Sequence, residues 1–187
     1  NTSGCNNNAI GSYALCSNTT GCNNNAFGDA ALCSNTVGEH NIGVGYRALF
    51  ENSTGDYNVA IGRQALDDNS SGSGNIALGR QTLWKNLTGA CNVGIGHFVL
   101  NTNTTGCYNV GIGCGALYYN TCGFANNAIG TCALHKNTTG TQNTAAGFSA
   151  LNSTTTGSEN TASGYKALTV NTTGCAQVAY GRKSLCA

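Results

Sequence analysis

Proline and methionine are absent from this chain, tryptophan occurs once, and only 8% of the residues are charged. Turns made without proline must rely on residues that tolerate unusual backbone angles or bond their own backbone, which points to Gly, Asn, Ser and Thr. The formal net charge of +1 excludes the basic stripe that a nucleic-acid partner requires, and it excludes electrostatic adhesion to an anionic membrane. No apolar run approaches the roughly 18 residues of a membrane-spanning helix, so membrane insertion is not expected. The chain has no initiator methionine and no secretory leader pattern, and it reads as a processed or excised segment.

What the chain does contain is one phrase of 17 residues written eleven times without a gap, which accounts for all 187 residues. The copies begin at Asn1, Asn18, Asn35, Asn52, Asn69, Asn86, Asn103, Asn120, Asn137, Thr154 and Asn171, and their pattern is N-[TS]-[TS]-G-x-x-N-x-[AG]-x-G-x-x-A-L-x-x. A fixed period of this size predicts a single solenoid domain in which each copy is one rung stacked on the next. A helical repeat is excluded because two glycines interrupt every copy. The expected fold is therefore all-β, a parallel β-solenoid or β-roll of eleven rungs. At about 4.8 Å per rung it makes a rod about 50 Å long.

The columns of the repeat sort by role. Glycine is invariant at positions 4 and 11, as in Gly4 and Gly11, where a positive φ or a close approach between rungs excludes a Cβ. Leu fills position 15 throughout, and position 9 is always Ala or Gly, so large against small defines a thin core. Position 7 carries Asn7, Asn24, Asn41, Asn58, Asn75, Asn92, Asn109, Asn126, Asn143 and Asn160, with Gln177 in the last copy. Stacked amides at that spacing are expected to form a structural ladder. All fifteen charged residues fall at positions 5, 6, 12, 13, 16 and 17, which marks those columns as the solvent face. Positions 7 to 11, as in Asn58 to Gly62, read as a strand of period two, and a second short strand is expected in the rest of the rung. Position 10 is apolar through eight rungs, from Ile10 to Ile129. It is either an exposed ridge suited to another chain or, with the faces reversed, part of the core.

The phrase Asn58-Val59-Ala60-Ile61-Gly62, repeated as Asn7 to Gly11 and Asn126 to Gly130, resembles the head repeat of trimeric autotransporter adhesins. The longer phrase N-T-T-G-x-x-N-x-A-x-G-x-x-A-L resembles repeats of phage and viral tail-fibre proteins, and it covers the whole chain. The resemblance implies a parallel β-solenoid, often a left-handed roll and often trimeric, working as a fibre, stalk or adhesin. This chain departs from those adhesin repeats in its longer period and its many cysteines.

Several residue sets are candidates for chemistry. N-x-[ST] sequons recur at Asn1, Asn18, Asn52, Asn69, Asn86, Asn103, Asn137 and Asn171, with Asn152 out of register, and a glycan on each rung would sheathe the rod. The same residues also make a good Asn-Thr-Thr-Gly turn without any sugar. The 11 cysteines, free of CxxC or zinc spacing, suggest disulfides in an oxidising, extracellular setting. Cys5, Cys16, Cys22, Cys33, Cys175 and Cys186 occupy positions 5 and 16 of the first, second and last copies. Cys5–Cys22 and Cys16–Cys33 bridges between rungs are feasible, as are bridges within a rung. Cys107, Cys114, Cys122 and Cys132, with Cys91, form a second group. His40, His97 and His135 lie in distant rungs, and neither a catalytic constellation nor a metal or cofactor site emerges.

The expectation is a non-enzymatic fibre subunit or adhesive stalk at a cell or virion surface. Its partners would be copies of itself, stacked head to tail or side by side, and a surface receptor or glycan. Thr pairs at positions 2 and 3, such as Thr104-Thr105, support an alternative, an ice-binding solenoid.

Overall fold

In a computed structural model that describes residues 2–186, the chain is a parallel β-solenoid, with no helix among the described residues. Eleven strands of three residues, from β1 (Asn8–Ile10) to β11 (Val178–Tyr180), form one sheet in chain order. Neighbours are parallel and shifted by one repeat, so Asn8 lies beside Asn25, Ala9 beside Ala26 and Ile10 beside Phe27. The rungs are numbered one to eleven in chain order.

The strand is shorter than expected, covering positions 8 to 10, and the second strand is a run of turns. The cause is backbone handedness. Positions 6, 13 and 15 take left-handed angles in residues other than glycine, as in Tyr57 (φ 57°), Gln64 (φ 56°) and Leu66 (φ 51°). A left-handed residue at every second position cannot continue an extended strand, and each costs roughly 1 kcal/mol. The cost is borne because the curled backbone stays bonded along the axis. Leu32 N–H donates to Ala48 O at 3.0 Å, and Arg47 N–H donates to Asp29 O at 3.0 Å. The curl also turns every leucine of the column inward, so that Leu32 through Leu151 are fully buried.

The two glycine columns serve different ends. At position 11 the backbone is positive, with φ of 136° at Gly62. At position 4 it is not, but a Cβ on Gly38 would lie 2.5 Å from both Asn35 Oδ1 and Gly55 O. The core itself is three columns wide, formed by Ala or Gly at 9, mostly Ala at 14 and Leu at 15. Its volume is balanced between rungs. Where position 14 is enlarged to Thr82 and Val99, position 9 of the following rung is Gly94 and Gly111. A Cβ on Gly111 would collide with Val99 Cγ1, whereas one on Gly43 would meet no neighbour closer than Ala48 O at 3.1 Å.

This pairing gives a test. Gly43→Ala is expected to leave stability nearly unchanged, and Gly111→Ala to cost about 1–3 kcal/mol because the stiff Val99 side chain cannot yield. Adding Val99→Ala should recover most of that loss in chemical denaturation, a non-additivity that only direct contact explains.

Candidate functional site

The interior is lined by amides. In column 7, Asn24 Oδ1 accepts from the backbone N–H of Asn41 at 3.0 Å and from its Nδ2 at 3.1 Å, and Asn41 Nδ2 also donates to Gly55 O at 2.8 Å. In column 1, Asn52 Nδ2 donates to Asn35 Oδ1 at 2.8 Å and to Gly55 O at 2.9 Å. Gly55 O is thus held by Asn41 from the rung before and by Asn52 from its own rung. The same bonds recur along the stack. Column 1 breaks at Thr154, whose hydroxyl donates instead to Asn171 O at 3.1 Å. Asn137 Oδ1 is left as a buried acceptor without a partner.

These bonds overturn the glycan sheath. Asn18, Asn52, Asn69, Asn86, Asn103 and Asn137 are at most 2% exposed. An N-linked sugar sits on Nδ2, the atom that makes two interior bonds here, and the closed interior has no volume for it. Asn171 is half-buried with Nδ2 on Gly174 O at 3.0 Å, and Asn152 Nδ2 bonds Cys132 O at 3.0 Å. Asn1 lies outside the described residues.

No disulfide joins the eleven cysteines in this structure. The structure does align cysteines by column. Cys5 and Cys22 Sγ are 2.7 Å apart, and Cys16 and Cys33 Sγ are 3.3 Å apart. The second group is not drawn into such pairs. Cys107 bonds Thr105 O at 3.4 Å and Cys122 bonds Thr121 Oγ1 at 3.5 Å. Cys175 Sγ lies 3.6 Å from Thr173 O. Position 5 has a use for sulfur that the sequence did not disclose. Its backbone N–H bonds the position-5 side chain of the next rung, as Cys5 N–H does Cys22 Sγ (3.1 Å), Glu39 N–H does Asp56 Oδ1 (2.7 Å) and Ala90 N–H does Cys107 Sγ (3.3 Å). Short acceptors fit that column whether or not they are sulfur.

The outer surface has three further features. The strands send positions 8 and 10 outward, which settles the orientation of column 10. Ile42, Ile61, Ile76 and Ile95 are 37–43% exposed on a mainly aliphatic face. Column 2 hydroxyls along the turn donate to the carbonyl of the next rung, as Thr36 Oγ1 does to Ser53 O at 2.9 Å, while column 3 residues such as Thr54 and Thr105 are exposed. Finally, position 16 is not uniformly solvent-facing. Asp67 is 1% exposed and paired with Arg47 at 3.0 Å, with Gln64 Nε2 at 3.0 Å and Trp84 Nε1 at 3.4 Å. Burial pulls the Arg47 pKa down, but the hydrogen bond and charge of Asp67 outweigh it and leave it above its ordinary value. A buried charge is tolerated there because it is fully paired.

The histidines stay apart. His40 stacks on Tyr57 at 4.9 Å, His97 meets Phe98 edge-on at 6.4 Å, and His135 Nδ1 lies 2.7 Å from Gly115 O. Among the described residues no three His, Cys, Asp or Glu side chains converge to hold a metal ion.

Burial, then the hydrogen bond with Cys16, push the Cys33 thiol from 9.0 up to about 11. At pH 8 its thiolate population is about a hundredfold below that of an ordinary thiol. Alkylation by iodoacetamide, followed by peptide mass spectrometry, is therefore expected to label Cys33 slowly at pH 8, with a rate that climbs until about pH 11. Labelling that levels off by pH 9 would refute the assignment. Comparison with protein-family models, curated proteins and solved structures finds no match to this chain.

Proposed function

We propose that the chain is a structural fibre element, a rod that extends by adding rungs and works outside the cell, as a filament subunit or adhesive stalk on a cell or virion surface, without catalysis. The observation that carries this reading is the axial hydrogen-bond lattice. Rung two offers rung one the carbonyls of Thr19, Asn24, Ala31 and Cys33 and the N–H groups of Asn23, Gly28 and Ala30. It offers rung three the N–H groups of Thr19, Asn25, Leu32 and Ser34 and the carbonyls of Cys22, Phe27 and Asp29. Each rung therefore presents complementary faces to its two neighbours, and the pattern has no built-in stop. A further rung, from more of the same chain or from another copy, continues it.

A second reading, an ice-binding solenoid, is favoured by the exposed column of hydroxyls at position 3, including Thr20, Thr88 and Thr139. A melting–freezing hysteresis gap in dilute solution would select it.

Cryo-electron microscopy of the 187-residue chain over a range of concentrations tests the fibre reading. Rods lengthening in steps of about 50 Å, with a layer line near 4.8 Å, are the expected result. Particles that stay about 50 Å long at every concentration would overturn it.

A further inference from the structure

We infer that the outward sheet face binds a second copy of this chain side by side, with the two rods parallel and related by a two-fold axis along their length. This is association across the rod, and it stands whether or not rods also extend end to end.

The face is a regular array because every strand has three residues and pairs in register with the next, Val59 beside Ile76 and Ile61 beside Leu78. From rung three to rung seven both outward columns are aliphatic without exception. The wholly aliphatic stretch is about 10 Å wide and about 24 Å long, inside a sheet face about 50 Å long whose other rungs also carry Asn8, Asn25, Asn127, Thr144 and Thr161. With side-chain relief and the exposed Tyr46 and Tyr57 at its margins, the whole face, with this stretch at its centre, approaches the roughly 800 Å² per partner of a stable interface. An exposed apolar strip of this extent calls for a partner. Its ridges repeat at the rung spacing of about 4.8 Å, and only another stack of rungs keeps ridges in grooves along the whole length.

Charge sets the orientation. The edge that precedes the strands carries Glu39, Asp56 and Glu159, and the edge that follows them carries Arg63, Arg80 and Arg182. Each arginine lies one rung beyond an acid: Glu39 in rung three and Arg63 in rung four, Asp56 in four and Arg80 in five, Glu159 in ten and Arg182 in eleven. None of the six has an ion-pair partner among the described residues. The one ion pair among the described residues joins Arg47 and Asp67. Arg63 and Arg80 rest on the rings of Tyr46 and Phe98 instead, at 5.8 and 5.3 Å. A two-fold axis along the rod keeps heights and exchanges edges, so each acidic edge faces the partner's basic edge. The axial offset of one rung, about 4.8 Å, is within an arginine's reach. Antiparallel rods would instead oppose acid to acid and arginine to arginine. Asp29 is the one acid on the basic edge, and its removal should tighten the pair.

Mass per unit length, read from cryo-electron micrographs, tests the pairing separately from any change in rod length. The expected value is twice that of a single solenoid. It should fall to onefold in Ile61→Lys/Ile95→Lys and in Arg63→Glu/Arg80→Glu. Adding Glu39→Arg and Asp56→Arg to the latter should restore it. The isoleucines, the arginines and Glu39 are exposed, so circular dichroism should match the wild type and confirm folding, and Asp56→Arg is the one exchange that also gives up a bond within the chain, from the Glu39 N–H to Asp56 Oδ1 at 2.7 Å. Raising NaCl from 50 to 500 mM should lower the paired fraction. Single-width rods in the wild type, threefold mass, unchanged pairing in the Ile61→Lys/Ile95→Lys variant, or pairing that strengthens with salt would each overturn the inference.

Discussion

The structure depends on the side-chain amide of asparagine, placed twice in each rung and relayed from rung to rung. A narrow solenoid built of turns has to satisfy many backbone groups that cannot reach water, and each one left unpaired costs roughly 1–3 kcal/mol. An asparagine carries a donor and an acceptor on one short, planar group, so it can bond the rung below and the rung above together. Columns 1 and 7 converge on the position-4 carbonyl, as Asn24 and Asn35 do on Gly38 O at 2.8 and 3.0 Å. Position 4 must be glycine for that approach to exist. The thin apolar column of Leu and Ala packs alongside this relay and is not by itself wide enough to specify the turn.

An interior that uses polar groups in this way frees the exterior from the usual rule. Most outward strand positions in the middle rungs are Val and Ile, while Asn lies inside. The molecule thus presents an apolar strip on one side, hydroxyls along the Asn-Thr-Thr-Gly turn, and charges at the strip's margins. Stackable ends come from the backbone lattice, and the side faces come from residues that the lattice leaves free to vary. The fibre reading rests on the first, and the side-by-side pairing rests on the second.

Much of this is legible in the sequence. The period, the solenoid, the Leu and Ala columns and the ladder at position 7 all follow from eleven internal copies. The turn at position 1 was harder, because Asn-Thr-Thr-Gly satisfies both a sequon and a buried amide. Asn35 and Asn120 held the clue: both keep asparagine where the sequon is lost or weak, so the hydroxyl was not the reason for it. The left-handed leucines were invisible, since Leu ordinarily avoids that region and only the tertiary lattice holds it there. Asp67 departs from the charged-column pattern because its burial depends on Arg47 one rung away. Sulfur at position 5 suggested bridges, whereas its geometry also serves a backbone N–H.

The most direct test of the amide relay uses the one place where the chain interrupts it. Thr154 stands where the other ten copies have asparagine, and Asn137 Oδ1 is unpaired as a result. An asparagine there would donate to Asn137 Oδ1 and to Gly157 O, and would offer an acceptor to Asn171. Equilibrium chemical denaturation of Thr154→Asn is expected to show a gain of about 1 kcal/mol in unfolding free energy. No gain, or a loss, would contradict the claim that these interior amides hold the rungs together.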